Sequence, residues 1–484
     1  MPLDKAGESG TAYWIVKEEI KMAVILIKNA LVLTFEKDTL SGEIIENGAV
    51  ALKDDLIAEI GKSPELEKKY SGADRILNAD GGIVMPGFIV THTHMPYVLG
   101  HNMPVDFTQL KSFWDMLQKM GWEWLEDITT GEGIYAATRY AAAKMLKSGT
   151  TTVCDLVEAP NVLPGGGRPL DYSIRAIDEV GIRAQVGYEV TERIPGVSIL
   201  EKLDPEMAEK GFEENIRILE NIPKESSGRI HGRLGVHTAY TNSKETLRKA
   251  REIADKYGCG IQIHIAEIPR VFLVEKFGKS APMVLEETGL VGSDMVAAHC
   301  IDLNDEDLEI LKRNGVNISH TPLTNSFGGN GMARVPEMLE KGMNVSLGHD
   351  CFFTLDVSEY IRYAYLVHKA HNANPMLIPP FQVMDMVLSN AAKALGMENS
   401  IGSLKEGKKA DIIIIKPDSP TPVNASSVIS YFTMTFQGRN VDTVIVDGRI
   451  VVDEGRLTTA DEEEISRNCI LEAKKLWRKN GIEV

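Results

Sequence analysis

The chain has 484 residues, 43% hydrophobic and 25% charged, which fits one large globular domain carrying a smaller one. Its net charge of −17 argues against nucleic acid held on a basic face and against an anionic membrane surface. Cys154, Cys259, Cys300, Cys351 and Cys469 form no CxxC pair, so a disulfide framework is not expected and a reducing, cytoplasmic compartment is. No apolar run reaches the roughly 18 residues of a transmembrane helix.

In chain order, "MPLDKAGESGTAYWIVKEEIK" lacks the basic-then-apolar order of a secretion signal, and residues 1–22 read as an extension. "AVILIKNALVLTF" (23–35) and "GAVALKDDLIAEIG" (48–61) read as short strands. The same texture returns in "ADIIIIKP" (410–417) and "VDTVIVDGRIVVDEG" (441–455), with Asp447-Gly448 as a hairpin turn. A β-domain assembled from both chain ends, 23–83 and 402–458, is the simplest arrangement. Between them, helical periodicity alternates with short apolar strands: "SKETLRKAREIADKYG" precedes "CGIQIHIAE", and "NDEDLEILKRNG" precedes "VNISHTP". This α/β repeat argues a parallel sheet with helical crossovers. About eight strands favour a closed (β/α)8 TIM-type barrel over 84–401. Residues 459–484 read as a closing helix.

The strand ends carry the polar residues: His92 and His94, Asp155, Glu189, His237, His264, His299, His320 and Asp350. In such a barrel, chemistry sits at the C-terminal ends of the strands. His92 and His94 are spaced i, i+2, which puts both imidazoles on one face of a strand. With His264 from "IQIHIAE" and Asp350 from "SLGHD" they make three nitrogens and one carboxylate with room for water, the pattern of a catalytic zinc site. Alternation points His349 away, so Asp350 is the expected ligand, and His101 falls in a loop.

"PGFIVTHTHMP", "IHIAE", "AAHCIDL", "SLGHD" and the C-terminal "SNAAKALGMENSIGSLKEGKKADIIII" resemble the amidohydrolase superfamily. Within it the chain is similar to the aminohydrolases and chlorohydrolases, among them deaminases of thioether nucleosides, guanine and cytosine, and triazine hydrolases. "GVHTAY" (235–240) and "TPLTNSFGGNGMARVP" (321–336) look like that branch's substrate-side motifs. The resemblance implies that the two β-rich ends form a composite β-sandwich. It also implies one divalent metal, zinc first and iron or manganese next, on His92, His94, His264 and Asp350. Two departures stand out. His349 and Cys351 flank the aspartate where the family has a small residue and a glycine. His237 stands near the place where two-metal members carry a carboxylated lysine.

In that setting Asp350 both ligates and accepts a proton from the attacking water. Glu267, three residues after His264, protonates the ring nitrogen and then the departing amine, and His299 hydrogen-bonds the water or the tetrahedral centre. The long segment after the first barrel strand holds Trp114, Trp122 and Trp124, and Trp114 and Trp122 offer aromatic faces to a planar heterocycle. By resemblance Glu126 falls where thioether-nucleoside deaminases carry a ribose-binding glutamate. His237 is expected to contact the ring or sugar, and Arg193 a substrate carboxylate. The second arginine expected for S-adenosylhomocysteine is absent, with "KGFEEN" (210–215) near its place.

The expected function is metal-dependent hydrolytic deamination of an amino-substituted N-heterocycle by a homodimer or homotetramer. The alternatives are dechlorination or alkylamine release, and, more remotely, a non-catalytic scaffold of the same fold.

Overall fold

The computed structural model describes residues 23–36, 43–106, 108, 110–160, 163, 166–225, 228–350 and 353–484. The expected N-terminal extension through residue 22 and Cys351 lie outside them. Among the described residues, no helix is long and apolar enough to cross a membrane.

Eight parallel strands form the centre: Phe88–Thr93, Thr150–Val157, Arg183–Val190, Leu234–Val236, Ile261–Ile265, Met295–His299, Asn317–His320 and Val345–Leu347. They are called strands one to eight below. Each pairs with the next in parallel register, and every residue of them is buried. Burial on both faces explains why they read as continuous apolar runs rather than as alternating ones. The extra strand Ile230–Gly232 also pairs with strand three, leaving Arg233 between two short strands. The barrel closes between strands eight and one. The Thr91 hydroxyl bonds the Ser346 hydroxyl at 2.8 Å and donates to the Leu347 carbonyl at 3.0 Å, while His349 N–H donates to the His92 carbonyl at 2.8 Å.

The crossover helices begin where the local sequence satisfies their first amides. Ser243 accepts from the Thr246 amide, and Asn304 and Asp307 form a reciprocal capping box. Their apolar faces pack on the strands while lysines, arginines and glutamates face out.

Both chain ends join in a second, nine-stranded mixed sheet. Ile83–Pro86 lies parallel to Val24–Leu33 and antiparallel to Ile412–Ile415, so the N-terminal and C-terminal segments are hydrogen-bonded neighbours. Asp447 and Gly448 turn the hairpin between Val441–Val446 and Arg449–Asp453, both with positive φ (52° and 74°), as a tight turn of this hand requires.

One buried guanidinium ties sheet to barrel. Arg183, 1% exposed, forks onto Asp411 at 2.6 and 2.9 Å and onto Asp447 at 2.8 Å. Burial alone would raise the Asp447 pKa, but Arg183 and Lys409 outweigh it and hold the carboxyl below its ordinary range.

The final helix, Glu462–Lys479, lies on the helix Gly131–Lys147 and reaches the segment above the barrel mouth. Trp477 Nε1 donates to the Leu99 carbonyl (2.7 Å), Lys479 to that of Ile128 (2.9 Å), and Asn480 to that of Trp124 (3.0 Å).

Replacing Arg183 by glutamine leaves the buried Asp411 without its counter-charge and Asp447 with Lys409 alone, and a loss of about 3–5 kcal/mol is expected. The check is the first transition in thermal unfolding. Because the Asp447 pKa is lowered in the fold, its contribution is complete above the ordinary carboxylate pKa and is lost as pH falls through the lowered value. The gap between wild type and Arg183→Gln therefore narrows in acid.

Candidate active site

The C-terminal ends of the strands bring the expected residues to one point. Strand one presents His92 and His94, both buried, with ring centroids 4.7 Å apart. His94 Nδ1 lies 2.8 Å from the Leu156 carbonyl, and His264 Nδ1 lies 2.9 Å from that of His237. A carbonyl can only accept, so each Nδ1 carries the proton and each Nε2 keeps a lone pair. Those two Nε2 atoms are 3.1 Å apart. Asp350 Oδ1 stands 3.2 Å from His94 Nε2 and 3.2 Å from His92 Nε2.

With the rings neutral, acceptors crowd one another without a shared donor, and Asp350 raises the His94 pKa against the opposing effect of burial. His92, His264, His299 and Asp350 offer ligand atoms all within 4.8 Å, and His94 forms an overlapping group with His264 and Glu158. Three imidazole nitrogens and a carboxylate, two of the rings fixed by backbone carbonyls, fit a divalent metal. The protein's own charges respond to the same pressure. Burial brings His92 down to about 4 despite Asp350. Burial also opposes ionisation of Asp350, yet His299, His92 and His94 hold its carboxyl well below the ordinary range.

The backbone turns sharply at these ends. Ala266, His299 and Asp350 have φ of 50°, 68° and 62°. This left-handed backbone costs about 1 kcal/mol or more per non-glycine residue, and it re-aims each chain end over the mouth. Gly348 packs so closely that an added Cβ would meet Ser319 Oγ at 2.7 Å and His92 Cβ at 3.0 Å.

Glu267 is buried 3.9 Å from His299 Nε2, and burial raises its pKa. His299 Nδ1 lies 3.0 Å from both Asn325 Oδ1 and the Thr321 hydroxyl, leaving Nε2 buried and unbonded. His320 pairs with His368 instead, Nε2 to Nε2 at 3.0 Å. His349 stacks on Tyr360 with centroids 3.9 Å apart, away from the ligands as alternation requires. Asp155 accepts from the Met95 amide at 2.9 Å and fixes the turn after strand one.

The segment after strand one, read as a long loop, is largely helical: Met95–Gly100, Phe113–Met116, Leu117–Glu123 and Glu126–Ile128. It roofs the mouth. Phe113, Met116, Leu117 and Met120 close over Glu267 with Phe327, and the space left there is about 20 Å³. His101 lies outside this roof, at a cleft of about 720 Å³ that also includes Tyr140, Phe353 and Arg439. Trp122 is buried edge-on to His237 (5.9 Å) and Trp114 (5.7 Å), and Trp114 continues the aromatic wall to Tyr240 and Phe272.

Arg193 donates to Glu126 at 2.9 Å and to Asp127 at 2.7 Å, over the Trp122 ring, so both arms of its guanidinium are taken by the protein's own carboxylates. Tyr97 bonds Glu126 and Glu158, and Glu189 lies beside Glu158 and His237. Sequence reading passed over Tyr97 and Glu158 and gave Glu189 no role. "DLVEAP" does place Glu158 just past strand two, where a carboxylate borders the mouth.

The amidohydrolase family profile matches residues 83–451, and the chain belongs to that family. It is 35% identical to a 5'-deoxyadenosine deaminase of Methanosarcina acetivorans, over 94% of this chain and 99% of that one. It is 32% identical to a 5-methylthioadenosine/S-adenosylhomocysteine deaminase of Acetivibrio thermocellus, over 94% and 100%. The fold matches a zinc-bound adenosine deaminase from Xanthomonas campestris with a TM-score of 0.79 at 19% identity, covering 94% of this chain and 98% of that one.

Gly348→Ala should push His92 from its place. The expected result is a 10–100-fold weaker hold on zinc, the range seen when groups supporting a ligand are altered, measured by competition with a chromogenic chelator.

Proposed function

We propose that the chain is a metal-dependent hydrolytic deaminase of an amino-substituted purine nucleoside, releasing ammonia. The observation that carries this reading is the group of imidazole and carboxylate acceptors at the strand ends, with Glu267 beside it, buried and with its pKa raised by that burial. The names of the full-length relatives support the adenine nucleoside as substrate.

His92, His94, His264 and Asp350 would hold the metal, zinc by preference for three nitrogens and one oxygen. Bound there, a divalent ion supplies Lewis acidity and brings the pKa of water toward about 7. The remaining steps belong to the side chains. Asp350, kept ionised by its histidine neighbours, accepts the proton of the attacking water. Glu267, its pKa raised by burial, donates to the ring nitrogen next to the amino-bearing carbon; its carboxylate then takes the second proton of the former water, from the hydroxyl of the tetrahedral centre, and passes it to the leaving amine, and the proton held by Asp350 restores Glu267. His299, its Nδ1 fixed by Asn325 and Thr321, turns Nε2 toward the tetrahedral centre and stabilises it. The roof excludes water and strengthens each of these contacts.

Trp114 and Trp122 would flank the heterocycle, His237 would meet the ring or sugar, and Glu126 would accept from ribose hydroxyls. Arg193 orients Glu126 rather than receiving a substrate carboxylate, since Glu126 and Asp127 already hold it. A cytoplasmic setting fits four free cysteines, Cys154, Cys259, Cys300 and Cys469. A homodimer or homotetramer is the assembly expected.

The test is ammonia release by zinc-loaded protein from 5'-deoxyadenosine, 5-methylthioadenosine, adenosine and guanine. Release from an adenine nucleoside, cut by about 10²–10⁴ in Glu267→Gln, is the expected result. Release of chloride or alkylamine from triazines with no ammonia from any of the four would move the assignment to the other leaving groups. Because the Glu267 pKa is raised and the acid form is the working one, kcat/KM should fall as pH rises through it. That limb should flatten in Glu267→Gln.

A further inference from the structure

We propose a second divalent-cation site in the same mouth, formed by Glu158, Glu189 and His237 at the ends of strands two, three and four. One ligand atom from each lies within 4.8 Å of the other two, and all three residues are buried, at 4%, 4% and 2% exposure. This site goes beyond the deaminase reading, shares the mouth and His237 with it, and is separated from it by the ion counts below.

Three observations carry it. Glu189 is the first. Both of its carboxylate oxygens are buried, and neither accepts a hydrogen bond from an N–H or neutral hydroxyl among the described residues. Its neighbours are the Glu158 carboxyl and the His237 ring, with His237 Nδ1 at 3.9 Å and already bonded to Thr241. A buried carboxylate in that position costs several kcal/mol unless a proton or a cation meets it.

The second is the charge count. Arg193 reaches this region, but its two arms end on Glu126 and Asp127. Tyr97 brings a single hydroxyl proton to both Glu126 and Glu158. Glu158 and Glu189 are therefore left without a positive partner, and one dication balances the pair.

The third is continuity with the first site. Glu158 Oε1 lies 3.5 Å from His94 Nδ1 and 3.8 Å from His264 Nε2. One carboxylate thus borders both sets of ligands. Two carboxylates and one imidazole make a harder set than three imidazoles and one carboxylate, so manganese suits the second site better than it suits the first. Trp122 lies edge-on to His237, which places the second cation between the first site and the aromatic wall. A cation there would anchor substrate hydroxyls or an ordered water.

The test counts ions on the full chain. Protein stripped by chelator is titrated with Mn²⁺, and free Mn²⁺ is read by electron paramagnetic resonance. Wild type is expected to bind two ions, Glu189→Gln one, and Asp350→Asn one, the two variants losing different sites. Glu189→Asp, which keeps the charge, should keep the second ion at reduced affinity. Circular dichroism checks that Glu189→Gln folds, and if it does not, His237→Asn decides on the same count. A single ion in wild type that is lost in Asp350→Asn overturns the second site and leaves the catalytic one standing. Two ions retained in Glu189→Gln also overturn it. A single ion kept in Asp350→Asn but lost in Glu189→Gln supports this site and removes the metal from the deaminase reading.

Discussion

His94 Nε2 sits 3.1 Å from His264 Nε2 and 3.2 Å from Asp350 Oδ1, with no proton assigned between them once each Nδ1 has given its own to a backbone carbonyl. Lone pairs this close repel, and the barrel forces them together from strands one, five and eight. Much of the local architecture is arranged around that repulsion. Left-handed turns at Ala266, His299 and Asp350 aim the chain ends inward. The bond from His349 N–H to the His92 carbonyl closes the barrel at the spot where the ligands meet, and Gly348 leaves His92 room to stand there. A positive ion resolves the conflict, and the same group that binds it then has an electrophile to offer.

The acidic half of the mouth follows the same logic with the signs of the side chains changed. Glu126 finds Arg193 and Tyr97, whereas Glu189 finds only the Glu158 carboxyl. At Glu267 burial raises the pKa and favours the protonated form. Three buried carboxyls thus meet three different surroundings, a case of environment rather than residue type deciding chemistry.

What the sequence made legible was what local periodicity encodes. His92 and His94 share a face because strand side chains repeat every two residues, and His349 turns away for the same reason. The eight short apolar runs, each ended by a polar residue, outlined a barrel and its working face, and Asp447-Gly448 marked its hairpin. Contacts between distant segments were not legible. Arg193 looked like a free cation because nothing nearby in sequence shows that Glu126 and Asp127, some 66 positions earlier, take both its arms. Glu158 and Tyr97 were passed over because their meaning arises only where strand two meets the turn after strand one. The tryptophan-rich segment read as loop because Leu117–Glu123 winds as a π-helix, whose spacing matches neither the helical nor the strand period.

The roof over Glu267 has a mechanical consequence. The space beneath it, about 20 Å³, has room for about one water and far too little for a nucleoside, so the roof must shift for one to enter. The carbonyls of Leu99, Trp124 and Ile128 are pinned by the last turn of the C-terminal helix and the residue after it. The two flanks of the roof are therefore anchored, at Leu99 on one side and at Trp124 and Ile128 on the other. Substrate admission then becomes a property of the chain terminus as much as of the barrel. A tag or truncation placed there, far from any reacting atom, would act on how fast the enzyme opens and lets its product go.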